Sequence, residues 1–176
     1  MICAGAKDFA EVRGLGPGLK IKIVWIGKTK AAAIEALTAE YLKRLSRYCQ
    51  VEGLSARDED SLLQWCGRAS YKSGTSGKAA GLKSTLVLLD SRGKQLSSEE
   101  FARFLGEYQD RNPLPLAFAV GGADGFSEAA RAAAQHTISL GKMTLAHELA
   151  RVVLLEQLYR AFTILKNHPY HTGHAG

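Results

Sequence analysis

The chain has 176 residues, enough for one domain with a substantial core, and its 46% hydrophobic and 23% charged content is typical of a soluble globular protein. A net charge of +6 favours a polyanionic partner without identifying one. The three cysteines are odd in number and lack a CxxC spacing. We therefore exclude a disulfide framework and a cysteine zinc site, and expect reduced thiols in a cytoplasmic protein.

The first 18 residues differ in character from the rest of the chain. They lack the cationic start and apolar run of a secretory signal peptide, and Gly14, Gly16 and Pro17 indicate a flexible segment. We therefore predict an extension over residues 1–18 and a single domain over residues 19–176.

Within this domain, apolar strands alternate with helices. Ser97 and Glu100 form the capping box of one helix, and Ser127 caps another. The predicted strands cover residues 19–26, 50–54, 85–89, 115–120 and 137–140, and the predicted helices cover residues 31–45, 97–109, 128–134 and 145–165. Strands without polar alternation, separated by helices, predict an α/β fold with a mostly parallel sheet and helices on both faces.

Some short segments have weaker patterns. Residues 58–66 fit a short amphipathic helix, residues 70–84 fit a basic Gly/Ser-rich linker that could also touch RNA phosphates, and SRGKQL at 91–96 predicts a turn. The GKT sequence at 27–29 resembles a phosphate-binding loop. The glycine that this motif requires five residues earlier is Lys22, so we reject it.

Three loops of similar character follow successive strands. They begin at Leu89-Asp90, at GGADG over 121–125, and at LGKMTL over 140–145. Because ligands bind beyond the carboxyl ends of parallel strands, these loops predict one ligand site, and their glycines favour an adenosyl-type ligand. The GxGxxG spacing of a nicotinamide-dependent enzyme is missing, and that class is disfavoured.

The last predicted helix is apolar on almost every side, so it must be buried in protein or membrane. Its charged residues argue against a membrane. We expect Thr144 to cap it and Pro169 to stop it. His147 with Arg151, and Glu156 with Arg160, are four residues apart and share a face, as in an interface helix steadied by ion pairs or in an active site.

The runs LVLLDSRGKQLSSEEFA, FAVGGADGFS and SLGKMTLAHELARVVLLEQLYRAFTILKNHPYH closely resemble the RlmH-type ribosomal RNA methyltransferases of the SPOUT superfamily. The resemblance covers residues 19–54 and 85–172. It implies a trefoil knot and cofactor site within residues 85–172, use of S-adenosylmethionine, and a homodimer. The implied reaction is methylation of N3 of a pseudouridine in the large-subunit (23S) rRNA of assembled ribosomes.

The resemblance also implies roles for individual residues. The tail residues His171 and Tyr170, with Arg160, would be catalytic. Support around the substrate or the subunit seam would come from His147, Arg151 and Glu156. The cofactor-binding residues would be Leu89, Gly121, Gly122, Leu140, Gly141, Lys142, Met143, Thr144, Leu145 and Ala146.

The chemistry leaves two possibilities open. Transfer from a sulfonium is an in-line displacement, and the pseudouridine imide must lose its proton first. Either His171 acts as the base or a cation such as Arg160 stabilises the anion. The spacing of His168, His171 and His174 suggests a metal only weakly, since carboxylate and thiol ligands are missing, and we expect none.

Two rival functions remain. A SPOUT enzyme acting on another RNA base or a ribose is disfavoured by the tail motif. A non-catalytic ribosome-binding module would show only a steep salt dependence and no binding of S-adenosylmethionine.

Overall fold

The computed structural model describes residues 18–67 and 84–171. Five strands form one sheet in the order β2-β1-β4-β3-β5, and every pairing is parallel. The strands are β1 (Lys20–Ile26), β2 (Gln50–Ala56), β3 (Thr85–Gln95), β4 (Leu116–Val120) and β5 (His136–Ser139). The helices are α1 (Ala32–Leu45), α2 (Glu59–Trp65), α3 (Ser98–Arg111), α4 (Glu128–Ala133) and α5 (His147–Leu165). A short 3-10 turn, Pro169–His171, follows α5.

Helices cover both faces of the sheet, as predicted. Side chains alternate between the faces along each strand, so Phe118 of β4 joins one core and the neighbouring Ala117 and Ala119 join the other. The first core packs the sheet against α1, α3 and α5, and the second packs it against α2 and α4. The core residues on both faces are buried, whereas Lys20, Gln50 and Glu52 remain exposed at the amino ends of β1 and β2.

The predicted helix starts are confirmed for three helices. The Ser97 hydroxyl accepts from the Glu100 amide while the Glu100 carboxylate accepts from the Ser97 amide, which completes the capping box of α3. Ser127 accepts from the Ala130 amide at the start of α4. The segment at 58–66 contains α2, whose first turn is capped by Asp58.

The turn predicted at 91–96 is wrong. β3 continues to Gln95 with an irregularity between Leu89 and Lys94, and Ile138 of β5 is the partner of both of those residues. A Cβ on Gly93 would lie 2.6 Å from backbone atoms of Ile138. The polar residues here remain in the strand because the chain crosses β5 in close backbone contact, which a local turn pattern does not reveal.

The start of the last helix also differs from the prediction. Helix α5 begins at His147, with Ala146 in the N-cap position and no side-chain cap, so Thr144 does not cap it. Thr144 lies in the loop two residues before that position and is exposed. At the other end, α5 ends at Leu165, and Asn167 in the left-handed conformation (φ 52°) turns the chain before Pro169 is reached.

Several predictions concern residues outside the described ranges. Residues 1–17 of the extension, residues 70–83 of the basic linker, Cys3 and His174 fall there, and so does the side chain of His171. Cys49 and Cys66 are buried thiols, and burial raises the pKa of Cys49 to about 12. Among the described residues, none of the helices has the length and apolar character that a membrane span requires.

Candidate active site

A cavity of about 610 Å³ lies beyond the carboxyl ends of β3, β4 and β5. The loops after these three strands form its walls, and the start of α5 closes one side. The structure therefore brings the three loops together as predicted. It places nine of the ten predicted cofactor-binding residues on the cavity wall, namely Leu89, Gly121, Gly122, Leu140, Gly141, Met143, Thr144, Leu145 and Ala146. Lys142 is exposed and does not line the cavity.

The glycine loop after β4 is a tight backbone turn. Gly125 has φ +72° and its amide donates to the Gly122 carbonyl at 3.1 Å. A Cβ on Gly121 would lie 3.2 Å from the Phe126 ring and 3.3 Å from the Gly125 backbone. Glycine at these positions therefore keeps the turn closed and leaves a cavity wall made of backbone.

The loop after β5 forms the opposite wall. Gly141 has φ +143°, a conformation that other residues adopt only with strain, and its amide donates to the Ser139 hydroxyl at 3.2 Å. The Ser139 hydroxyl in turn donates to the Gly141 carbonyl at 2.9 Å. Farther along the loop, Met143 is 84% exposed and Leu145 is 38% exposed. This wall thus offers apolar side chains to a ligand.

Asp90 supplies a buried carboxylate at the cavity wall. Its side chain is 6% exposed and accepts from the Arg92 amide and from Arg131 Nε, both at 2.9 Å. Burial would raise the pKa of Asp90, but the Arg92 amide and the Arg131 guanidinium together lower it. Asp90 is therefore ionised at neutral pH, and each oxygen retains capacity for a further hydrogen bond.

Arg92 and Arg131 line the same cavity, and the sequence reasoning did not select them. Both guanidiniums bind Glu128, at 2.9 Å and 2.8 Å respectively. One feature of the sequence could have pointed to Arg131. This residue lies in the helix that directly follows the glycine loop, and that helix must begin at the same edge of the sheet. The contact of Arg131 with Asp90 spans 41 residues and has no local signature.

The three predicted supporting residues of α5 lie in three places, and Glu156 belongs to the tail described below. His147 lines the cavity. Arg151 is 1% exposed, its Cζ lies 4.2 Å from the centroid of the Trp25 ring, and its Nη2 donates to the Thr29 hydroxyl at 2.9 Å. Arg151 is thus a buried residue at the junction of α5 with the end of β1.

Two of the predicted catalytic residues, Arg160 and Tyr170, lie in a second cluster, on the last turns of α5 and the following 3-10 turn. The Tyr170 ring packs edge-on against Tyr159 with centroids 4.9 Å apart, and Arg160 Cζ lies 5.1 Å from the Tyr170 centroid. Glu156 Oε1 accepts from Arg160 at 2.6 Å and from the Tyr170 hydroxyl at 3.4 Å. We call Glu156, Tyr159, Arg160 and Tyr170 the tail cluster.

The tail cluster fixes the protonation states of its members. Burial, with contributions from Tyr41 and Glu156, raises the pKa of Tyr170 to about 12. The hydrogen bond that Arg160 donates to Glu156 raises the pKa of Arg160. At neutral pH Tyr170 is therefore a hydrogen-bond donor and Arg160 is a cation.

The tail cluster does not line the cavity of its own chain. The backbone of His171 completes the 3-10 turn, next to Tyr170. Among the described residues, no three His, Cys, Asp or Glu side chains are grouped to hold a metal ion. The structure thus gathers most of the predicted residues into two groups, one at the cavity and one at the tail, whereas Lys142 and Arg151 belong to neither.

The family comparison agrees with this architecture. The family described as "Predicted SPOUT methyltransferase" matches residues 19–171, which span almost all of the chain. The chain belongs to the SPOUT methyltransferase family. The chain is therefore a methyltransferase.

Named relatives of this SPOUT chain carry a narrower description. "Ribosomal RNA large subunit methyltransferase H" of Koribacter versatilis (strain Ellin345) is 53% identical over 156 residues, 89% of this chain and 100% of the relative. The protein of the same name from Geotalea daltonii is 42% identical over 153 residues, 87% of this chain and 99% of the relative. The sequence-based recognition of the family is therefore confirmed.

Solved structures share the fold at low sequence identity. A probable methylase family protein from Haemophilus influenzae Rd KW20 matches with a TM-score of 0.54 at 15% identity, covering 86% of this chain and 70% of that one. A probable methyltransferase from Bordetella pertussis Tohama I matches with a TM-score of 0.52 at 12% identity, covering 82% and 95%. These matches support the fold alone.

Proposed function

We propose that this protein transfers a methyl group from S-adenosylmethionine to N3 of a pseudouridine in large-subunit rRNA. The observation that carries the proposal is the glycine-walled cavity at the carboxyl edge of the sheet, in a chain whose relatives are named large-subunit rRNA methyltransferases. We place the reaction in the cytoplasm, on assembled ribosomes.

The size and the lining of the cavity support binding of the methyl donor there. Its volume of about 610 Å³ lies within the range of small-molecule sites. Backbone at Gly121 and Gly122 allows close approach of the ligand, and Leu89 and Leu140 supply apolar contact. The ionised Asp90 can accept a hydrogen bond from a donor hydroxyl or ammonium group. S-adenosylmethionine, when bound, supplies an electrophilic methyl group on a sulfonium.

The tail would act on the methyl acceptor. The N3 proton must leave before the nitrogen attacks the methyl carbon, whose bond to sulfur breaks as the new bond forms. We propose that His171 takes this proton, or that the proton passes to water and Arg160 stabilises the resulting anion. Tyr170, whose hydroxyl stays protonated, would position the pseudouridine by donating to it the hydrogen bond that otherwise goes to Glu156.

We further propose a homodimer in which the tail of one protomer completes the cavity of its partner. Two observations support it. The tail cluster does not line its own cavity, and α5 leaves Leu149 (48%) and Leu165 (38%) exposed. Since large apolar side chains on a helix favour a protein partner, α5 is the proposed subunit seam.

We also propose that the chain is knotted around β5. Two observations support threading of β5 through the loop at residues 89–94, namely the pairing of Ile138 with both Leu89 and Lys94 and the approach of Gly93 to the Ile138 backbone. A knot would hold the cavity walls in place and reduce the ordering that ligand binding requires.

The test uses labelled S-adenosylmethionine and ribosomes from cells that lack the modification, followed by nucleoside mass spectrometry of the rRNA. The expected product is one methylated pseudouridine, lost in His171→Ala while donor binding persists. A methylated ribose or another base would support the rival SPOUT activity. Ribosome binding without donor binding would instead support the non-catalytic module.

A further inference from the structure

The segment between β1 and α1, residues 27–31, lies beside the cavity; we call it the basic loop. β1 and β4 are parallel neighbours with Trp25 opposite Val120, so both leave the sheet at the same edge. A Cβ on Gly122 would lie 3.7 Å from Ile26 Cγ2. The residue before the basic loop therefore adjoins the glycine wall of the cavity.

The basic loop is also attached to the first turns of α5. The Lys30 amide donates to Glu148 Oε1 at 2.9 Å, and Arg151 Nη2 donates to the Thr29 hydroxyl at 2.9 Å. Glu148 follows His147, which lines the cavity. The loop is thus held between two structures that form the cavity wall.

Arg151 places a positive charge beneath this loop. In the described part of the chain no carboxylate lies within ion-pair distance of its guanidinium, and its Nε has no hydrogen-bond partner. Burial lowers the pKa of Arg151, opposed by the charges of Glu148 and Glu35. A buried cation that lacks an ion-pair partner is costly, and its field extends through the low-dielectric interior to the nearby surface.

The surface above Arg151 carries two further cations. Lys28 and Lys30 are both exposed, and within the described ranges neither has a carboxylate at ion-pair distance. By contrast, Lys22 on the same strand-loop unit is paired with Glu52 at 3.2 Å. Within the described ranges the basic loop therefore carries two exposed ammonium groups that no ion pair engages, while the one carboxylate bonded to the loop, Glu148, accepts from the Lys30 backbone amide.

We propose that the basic loop binds the phosphodiester backbone of the acceptor RNA next to the methyl-donor cavity. The contact between Thr29 and Arg151 holds the loop in its binding position. Lysine binds phosphate as a point charge, and backbone contacts of this kind set the register of a nucleic acid on a protein. The inference rests on the proposed function. It gives the GKT sequence at 27–29 a role in binding RNA, although this sequence is not the phosphate-binding loop of a nucleotide-hydrolysing enzyme.

The test compares Lys28→Ala, Lys30→Ala and the double variant with the wild type in methyl transfer to ribosomes over a range of salt concentrations. Each lost phosphate contact reduces the salt slope of log(kcat/KM) by about 1. KM for the ribosome therefore rises at physiological salt, while kcat and the Kd for S-adenosylmethionine stay unchanged. The matched control is Lys20→Ala with Lys22→Ala, which removes the same charge from the amino end of β1 and leaves the slope unchanged.

A second pair of variants tests the role of the anchor. Thr29→Val removes the hydroxyl that Arg151 binds and is expected to raise the KM for ribosomes, whereas Thr29→Ser retains the hydroxyl and restores the wild-type value. The melting temperature and the donor Kd report whether each variant is folded.

The outcomes separate this inference from the proposed function. A wild-type protein that transfers no methyl group to ribosomes overturns the proposed function. A wild-type protein that transfers it, with equal salt slopes for the basic-loop variants and the wild type, overturns the inference alone. Equal loss of slope in the control pair also overturns it, because the effect is then one of net charge.

Discussion

The cavity is formed mainly by backbone, whereas the tail cluster is formed by side chains. The cavity walls are largely backbone, with glycines at 121, 122, 125 and 141 that either adopt positive φ or allow close approach. The tail cluster is built from long side chains that hold one another by an ion pair, a hydrogen bond and aromatic contacts. One region depends on the course of the chain and the other on side-chain chemistry.

Because of this difference, we expect the cavity and the tail cluster to respond to different kinds of substitution. Backbone walls recognise a fixed small ligand and fail when a side chain is added. A side-chain cluster tolerates small changes in the fold and fails when a polar group is removed. Adding a methyl group to a glycine of the cavity wall should therefore affect donor binding. Removing one charge from the tail cluster should affect methyl transfer to the acceptor.

The largest effect is expected at Gly93, where β3 crosses β5. In Gly93→Ala the new Cβ would lie 2.6 Å from backbone atoms of Ile138, which cannot move without disturbing the sheet. The free energy of unfolding, measured in urea, should fall by about 3 kcal/mol. Gly18→Ala is the control, because its Cβ meets nothing within 4 Å. Equal stability of the two variants would contradict the close crossing.

A smaller loss is expected at Gly141, whose Cβ would meet nothing within 4 Å but whose φ of +143° strains any other residue. Gly141→Ala should lower the free energy of unfolding by about 2 kcal/mol, because the loop must either leave this conformation or remain strained. Calorimetric titration should show weaker binding of S-adenosylmethionine. Unchanged affinity would indicate that this wall does not contact the donor.

Asp90→Asn should remove a pH-dependent contribution of about 1 kcal/mol to the free energy of unfolding. The pKa of Asp90 is lowered in the folded state, so its stabilising contribution is present above the ordinary carboxyl pKa and is lost as the pH falls through the folded-state value. Urea unfolding at a series of pH values should show the variant and wild type converging in acid. A constant difference at all pH values would exclude this origin.

The smallest change in stability is expected at Glu156, with a large change in activity. Glu156→Gln weakens the partly buried bond to Arg160 and should cost about 0.5–1 kcal/mol, while misplacement of the tail lowers kcat about 10- to 100-fold. Glu52→Gln is the control, since it makes the same change to a carboxylate that pairs with Lys22 between β1 and β2. Equal kcat in the two variants would remove the tail cluster from the reaction.

The sequence predicted those features of the fold that depend on local patterns. Three such features could be predicted, because each pattern lies within a few residues. They are the capping box of Ser97 and Glu100, the buried strand that ends at Val120, and the glycines that follow it. The family resemblance then selected the residues of the cavity wall and the tail, and the structure gathers most of them into two groups.

Other features depend on contacts between distant residues and could not be predicted. The polar run at 91–96 has the composition of a turn and becomes strand only because β5 lies against Gly93. Arg151 was expected among the supporting residues of the site, yet it is buried on Trp25 and bonded to Thr29, 122 residues earlier. Thr144 has the chemistry of a helix cap, but the loop places it before the first turn of α5.

The central claim is that the cavity holds the methyl donor and the tail acts on the acceptor. The direct test measures, for Gly141→Ala and His171→Ala side by side, the Kd for S-adenosylmethionine and the single-turnover rate of methyl transfer at saturating donor. The account predicts weakened donor binding in Gly141→Ala alone, and in His171→Ala a wild-type Kd with the transfer rate lost. Equal loss of donor affinity in both variants, or a wild-type transfer rate in His171→Ala, would contradict it.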